Sequence, residues 1–97
     1  MSVERRRYPR EEVNVKLYLL LNNQEVPVNV RNLSKGGALV QVKKGYGDRI
    51  ATSDIGRVTS LAMEDGSSFT SSRAVILRCT EEKGKKFVAL SFEIDMV

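Results

Sequence analysis

The chain has 97 residues, 41% of them hydrophobic and 29% charged, which predicts one globular domain with one core and excludes a disordered chain. Its longest apolar stretch, residues 17–21, is far shorter than the ~20 residues that cross a bilayer, so we expect no membrane crossing. Its first ten residues lack the apolar h-region of a signal peptide, so we expect a cytoplasmic protein. Most of the net charge of +4 lies in the first ten residues, which favours an anionic partner: a phosphate ligand, nucleic acid or a membrane surface. One cysteine and no histidine exclude an internal disulfide and remove the commonest residues of metal and acid–base chemistry.

The chain begins with a basic arm, which we place at residues 1–12. The charged residues in its first ten positions are Arg5, Arg6, Arg7, Arg10 and Glu4, a net charge of +3. Pro9 fixes its own φ and biases Tyr8 toward an extended conformation, so the arm is expected to be a stiff extended segment. Guanidinium groups pair bidentately with phosphate oxygens or with the O6/N7 edge of guanine. Taken alone, the arm is equally consistent with a solvated tail.

The barrel or sandwich that follows is predicted to occupy residues 13–97 as one domain. Apolar residues alternate with polar ones over residues 13–21 and again over 25–31, and the turn Asn22-Asn23 between them predicts a hairpin. Pro27 cannot donate to a strand ladder, which predicts an edge strand or a strand start there. A short apolar strand follows at residues 38–42, and residues 43–56 are predicted to be an irregular connection.

The second half of the chain predicts three more strands, at residues 58–63, 69–79 and 87–94. Asp65-Gly66 predicts a tight turn between the first two, and the charged segment 81–85 predicts a second one. No segment has a helical period. About six strands joined by short turns indicate an all-β fold, an antiparallel meander closed into a six-stranded β-barrel or a compact sandwich. Because they lie on alternating strands, Phe69, Phe87 and Phe92 are predicted to be core residues. Cys79 has no partner cysteine and no adjacent histidine, so it is predicted to be a small buried hydrophobic residue.

A second motif lies between the second and third strands, at Asn32-Leu33-Ser34-Lys35-Gly36-Gly37. Asn and Ser form local turns, and the two glycines permit either positive φ or close approach of another molecule to the backbone. By itself this hexapeptide is what any tight turn would use.

The two motifs together resemble the PilZ family. Arg6-x-x-x-Arg10, a hairpin of about twenty residues and then Asn32-x-Ser34-x-x-Gly37 occur in the family's order, and the strand series through residues 87–92 is similar to the family's six-stranded barrel over nearly the whole chain. The resemblance implies a receptor for cyclic di-GMP, a bacterial second messenger with two guanines and two phosphates. We expect no further cofactor and no metal.

The resemblance also implies a role for each site residue. Arg6 and Arg10 would hold phosphates and guanine Hoogsteen edges, Asn32 would meet a guanine Watson–Crick edge, and Ser34 would add a hydroxyl contact. Gly36 and Gly37 would let the backbone approach the ligand. Asn32 stands where the family has Asp or Asn, and an amide oxygen accepts fewer donors than a carboxylate.

Arg5 precedes the arginine pattern, where the family's arginine accompanies capture of a stacked pair of ligand molecules. One bound molecule remains the alternative. Arg7, Tyr8 and Lys35 are secondary candidates, and Arg7 is equally consistent with a solvated charge.

Ligand binding is expected to change the conformation of the arm and of the surface that a regulatory partner protein recognises, with motility, exopolysaccharide synthesis, biofilm formation or virulence as outputs. We expect a monomer or a weak homodimer. Two alternatives are a small barrel that binds RNA or single-stranded DNA through its arm, and a PilZ-like adaptor that binds no nucleotide. An enzyme is not expected, because no nucleophile–base pair, carboxylate pair or metal-ligand cluster can be assembled from the sequence.

Overall fold

Six antiparallel strands form a closed barrel in the computed structural model, which describes residues 15–93. The strands are β1 (Val15–Leu21), β2 (Gln24–Leu33), β3 (Gly37–Val42), β4 (Val58–Asp65), β5 (Ser68–Glu82) and β6 (Lys85–Ser91). Their order around the barrel is β1-β2-β3-β6-β5-β4, and β4 pairs back with β1. The predicted all-β, six-stranded antiparallel barrel is therefore confirmed. The basic arm at 1–12 and its boundary with the barrel lie outside the described residues.

Alternate positions along the strands fill the barrel interior. Leu19, Val26, Val40, Ile76 and Val88 are each fully buried and belong to one cluster. Burial of an aliphatic side chain contributes about 1.5–3 kcal/mol to the free energy of folding. A strand with alternating apolar and polar residues has buried side chains on one face only. The period-two pattern thus determines which face of each strand points inward, and closure gives every strand two partners.

Three tight turns connect the hairpins. Asn22 and Asn23 have φ values of 54° and 62°, and Lys83 and Gly84 have values of 51° and 78°. Positive φ at both central residues gives a turn whose twist matches that of the flanking strands. The predicted turn at Asp65-Gly66 differs, because Asp65 is the last residue of β4 and only Gly66 has positive φ.

Pro27 lies inside β2, so the prediction of an edge strand or strand start was wrong. Pro27 pairs with Tyr18 of β1, and its carbonyl accepts a hydrogen bond from the Lys43 N–H at 3.0 Å. The N and the carbonyl of one strand residue point to the same side, so the missing N–H faces the chain just beyond β3. Proline cannot donate a hydrogen bond there. The β2–β3 ladder therefore does not include Pro27, and its last rung on this side is Val28 with Val42.

The irregular connection between β3 and β4 packs one side chain into the barrel. Two 3-10 turns, Gly47–Arg49 and Thr52–Asp54, flank Ile50, which is 1% exposed and joins the core cluster. No helix in the 15–93 range is long and apolar enough to span a membrane. The connection is held down by Lys86 of β6, whose ammonium donates to the carbonyls of Gly47 and Ile50, both at 2.7 Å.

Replacement of Lys86 by methionine is expected to lower the free energy of unfolding by about 2 kcal/mol, because two partly buried carbonyls lose a charged donor. Methionine keeps the apolar stem, so the loss is that of the hydrogen bonds. Urea denaturation measures the change, with Lys85→Met on the exposed neighbour as the control. Equal unfolding midpoints for the two variants would contradict this role.

The four residues predicted to be core differ in burial. Phe87 and Phe92 are half-buried, and Phe92 packs against the core cluster. Cys79 is buried as predicted, and burial raises the pKa of its thiol above the ordinary value of 9.0, an effect that Lys86 opposes. Phe69 was predicted wrongly: it lies on the outer face of β5 opposite Glu64 and is 54% exposed. Tyr18 also lies on the outer face, yet it is 3% exposed and its hydroxyl donates to Glu64 Oε2 at 3.0 Å. Burial and then this hydrogen bond raise the pKa of Tyr18.

Candidate functional site

A β-bulge positions Asn32 at the end of β2. Val30 pairs with Val40, whereas Asn32 pairs with Leu39, so Arg31 is the extra residue. Without the bulge, alternation from the inward-facing Val30 would turn Asn32 toward the core. With it, Asn32 shares the outer face with Leu39 and is exposed. The bulge therefore presents a polar amide to solvent next to the following turn.

The turn after β2 is closed by its own backbone. The Ser34 N–H donates to the carbonyl of Gly37 at 2.9 Å, and the Ser34 hydroxyl lies 3.4 Å from the same oxygen. The hydroxyl contact is long for an O–H donor, so the hydroxyl is weakly held and can turn to another acceptor. Ser34 and Lys35 are both exposed at the tip. The structure thus brings Asn32, Ser34, Lys35, Gly36 and Gly37 together at one end of the barrel.

The two glycines of the turn differ in what surrounds them. Neither has positive φ, since the glycines with positive φ in residues 15–93 are at other turns. A Cβ on Gly37 would overlap the carbonyl oxygen of Leu90 in β6. A Cβ on Gly36 would meet only the carboxylate of Glu93, at 3.3 Å. Glycine at position 37 is therefore required by the approach of the protein's own backbone.

Small residues form a shallow floor beside the turn, on the outer face of β3 and β6. Gly37 pairs with Ser91, and Leu39 pairs with Ala89, so these four residues lie next to one another on that face. All four are half-buried. Short side chains at three of the four positions leave room for a flat ring to lie against the sheet.

Two arginines on the barrel border this floor, and the sequence reasoning did not single them out. Arg31 is the bulged residue of β2, and its guanidinium lies 3.4 Å from Gln41 Oε1. Arg78 follows a second bulge, at Leu77 of β5, and pairs with Ala89 on the outer face. The period-two pattern could not locate either one, because each depends on a one-residue register shift. Their exposed guanidinium groups make the rim of the floor basic.

The arm residues Arg5, Arg6, Arg7, Tyr8 and Arg10 lie outside the described residues. The structure does show where the chain enters the barrel. The last β1–β2 rung is Tyr18 with Pro27, and from there β1 runs back to Val15 while β2 runs on to Asn32. Because the two strands are antiparallel, Val15 and Asn32 lie toward the same end of the barrel.

A separate open groove lies over β1 and β2, toward the Asn22-Asn23 turn. It encloses about 860 Å³ and is lined by Lys16, Gln24, Glu25, Pro27, Tyr46, Asp48 and Arg49. Its lining has two basic and two acidic residues, so the charges balance. Lys16 Nζ lies 3.9 Å from Glu25 Oε1, and the Arg49 guanidinium stacks on the Tyr46 ring at 4.8 Å. This groove is less suited to a dianion than the surface beside Asn32.

Neither the curated proteins nor the solved structures gave a match to this chain. The described residues contain no group of three or more Cys, Asp or Glu side chains that could hold a metal ion. The family model of the PilZ domain matches residues 4–97, a span that includes both the arginine pattern and the Asn32–Gly37 turn. PilZ domains are binding and adaptor modules and not an enzyme family. Six strands in a closed barrel, the glycine turn on its rim and this match over nearly the whole length show that the chain belongs to the PilZ domain family.

Proposed function

We propose that this protein is a cyclic di-GMP receptor that binds its ligand on the outer face of β3 and β6. The family is one of cyclic di-GMP receptors in general, and this chain has the residues for that chemistry. Two phosphates require cationic donors, and two guanines require both donors and acceptors on their edges. The floor beside Asn32 combines polar groups, short side chains and a basic rim in one place.

The observation that carries the proposal is the pair of bulges. One turns Asn32 outward and the other sets Arg78 on the same outer row, with Leu39 and Ala89 between them. Three strand spacings of ~4.8 Å separate Asn32 from Arg78, or roughly 14 Å. That span can accommodate a dinucleotide lying flat. In alternating strands without bulges, neither side chain would occupy its place in this row.

The entry point of the chain supports a role for the arm. Arg10 precedes Val15 by five residues, which is at most about 18 Å of extended chain, and a long side chain adds to that reach. Val15 lies toward the Asn32 end of the barrel. The arm can therefore reach Asn32 on the adjacent strand β2, and it would reach β3 and β6 across this end of the barrel, since β6 lies opposite β1 in the strand order.

The family implies a role for each site residue. Arg6 and Arg10 would hold phosphates and guanine Hoogsteen edges, and Asn32 would bind a guanine Watson–Crick edge. The weakly held Ser34 hydroxyl would donate to a further acceptor on the ligand. Arg5 supports capture of a stacked pair of ligands. Gly36 would admit the ligand backbone, whereas Gly37 acts mainly through its fit against β6.

Regulation would follow from a population shift. Arm residues contact the ligand only when the arm is docked, so the ligand stabilises the docked state by its differential contacts. The docked arm and ligand would present a new surface to a cytoplasmic partner protein. Motility, exopolysaccharide synthesis, biofilm formation and virulence are the outputs that such a partner would control.

Calorimetric titration with cyclic di-GMP, against cyclic di-AMP and GTP, tests the proposal. We expect saturable binding of cyclic di-GMP alone, and about a tenfold loss of affinity in Asn32→Ala because one hydrogen-bonding side chain is removed. Asn29→Ala on the same strand is the control, since Asn29 is exposed on the outer face but pairs with Gln41, away from the turn. If none of the nucleotides gave heat of binding, the alternative of a PilZ adaptor that binds no nucleotide would be favoured.

Nucleic-acid binding remains the alternative class, and the barrel surface gives it little support. Phe69 is the large exposed aromatic residue of the described range, and it lies beside Glu64 instead of among basic residues. Stacking of bases on a sheet needs aromatic and basic side chains together. An RNA or single-stranded DNA complex that dissociates steeply with salt and tolerates Asn32→Ala would favour that alternative.

A further inference from the structure

Glu93 is held against the glycine turn by the end of β6. The Phe92 N–H donates to the carbonyl of Gly36 at 2.9 Å, and the Glu93 N–H donates to Ser91 Oγ at 3.1 Å. The carboxylate lies 3.3 Å from the position that a Cβ on Gly36 would occupy. An acidic side chain therefore lies at the floor where the proposed function requires a dianion to bind.

The carboxylate is exposed, and within residues 15–93 no ion pair is formed with it. Continuation of the β5–β6 register beyond the rung of Val75 with Ser91 would place Arg73 level with Glu93, yet the two are not in salt-bridge contact. A carboxylate next to two phosphates weakens binding by repulsion. It can offset that repulsion by accepting hydrogen bonds from donors of the ligand.

Guanine supplies suitable donors. Its Watson–Crick edge carries an N1–H and an N2 amino group side by side, and an ionised carboxylate has two oxygens that accept both at once. The Asn32 amide has one accepting oxygen and cannot match that pair. Adenine has no N–H at N1 and no amino group at C2, so the same carboxylate would face an acceptor there.

We propose that Glu93 is a specificity-determining residue that accepts hydrogen bonds from the N1–H and N2 amino group of one guanine of the ligand. The assignment depends on the proposed function, because it concerns the same floor. It assigns guanine selection to a carboxylate outside the Asn32–Gly37 motif, brought to the turn by the Phe92–Gly36 hydrogen bond.

A thermodynamic cycle between protein and ligand tests the assignment. Wild-type protein and Glu93→Gln are each titrated with cyclic di-GMP and with cyclic di-inosine monophosphate, which lacks only the N2 amino groups. Glutamine keeps the shape but presents an amide NH₂ to a ligand donor. We expect Glu93→Gln to bind cyclic di-GMP about tenfold more weakly, and its preference for the guanine ligand over the inosine ligand to be about tenfold smaller than that of the wild type.

Glu82→Gln is the matched control, since it removes the same charge at the opposite end of the barrel, where Glu82 pairs with Lys85. It should keep the wild-type preference. A Glu93→Gln variant that keeps the full preference would overturn the assignment, and so would one that binds both ligands more tightly by the same factor. Wild-type protein that binds neither ligand would instead overturn the proposed function, and this assignment with it.

Discussion

Replacement of Gly37 by alanine is expected to destabilise the barrel by about 3 kcal/mol, a decrease in Tm of roughly 15 °C for a domain of this size. The added Cβ would overlap the carbonyl oxygen of Leu90, which is backbone and cannot move without distorting the rung of Gly37 with Ser91. Thermal and urea denaturation measure the effect. The sign of the stability change is informative, because Gly→Ala at an unstrained position usually stabilises a protein by about 0.4–1 kcal/mol.

Gly36→Ala is the matched control for this prediction. Its Cβ would meet only the end of the flexible Glu93 side chain, at 3.3 Å, so stability should change by less than about 1 kcal/mol. Titration of both variants with cyclic di-GMP separates fold from binding. If Gly37→Ala kept wild-type stability and lost only its ligand, the glycine would act on the ligand and not on the β3–β6 pairing.

The strands and the barrel could be predicted from the sequence because both depend on local alternation. Val26 and Val28 alternate with exposed or half-buried neighbours, and both point inward as the pattern requires. The Asn22-Asn23 turn could be predicted because few residues tolerate positive φ. Closure was inferred from the need to cover strand edges, and the pairing of β1 with β4 confirms it.

Features that depend on contacts between distant segments could not be predicted. The bulges at Arg31 and Leu77 shift the register by one residue, which alternation within a strand does not reveal. Pro27 looked like an edge residue because the end of β3 beside it is not visible in the sequence. Phe69 is exposed because the β4–β5 hairpin offers it Glu64 and no apolar cover.

The candidate site also contains some features that the sequence predicts and others that depend on contacts between distant segments. The motif that contains Asn32 and Ser34 was recognised from the residues and their order, and the structure places these residues at one end of the barrel. The contribution of Glu93 comes from a hydrogen bond between Phe92 and Gly36, residues that are far apart in the sequence. The physical reason for Gly37 likewise required the position of Leu90.

The double substitution Arg6→Ala/Arg10→Ala is expected to weaken cyclic di-GMP binding by at least about 100-fold, because each charge-assisted hydrogen bond to phosphate contributes about 1.5–3 kcal/mol. Calorimetry at constant salt measures the change. Folding should be unaffected, since the core cluster of residues 15–93 is formed by barrel side chains from Leu19 to Leu90. Binding should also become less dependent on salt, because fewer ion contacts are formed.

Lys44→Ala/Lys85→Ala is the charge-matched control. These two lysines line a shared hollow at the β5–β6 turn, at the end of the barrel away from Asn32, and their removal lowers the net charge by the same two units. If position determines binding, the control should stay within about twofold of the wild type, since long-range attraction across more than a Debye length of ~8–10 Å is largely screened. An equal loss in both double variants would mean that net charge alone drives binding. A double arginine variant that binds as tightly as the wild type would place the ligand elsewhere on the barrel.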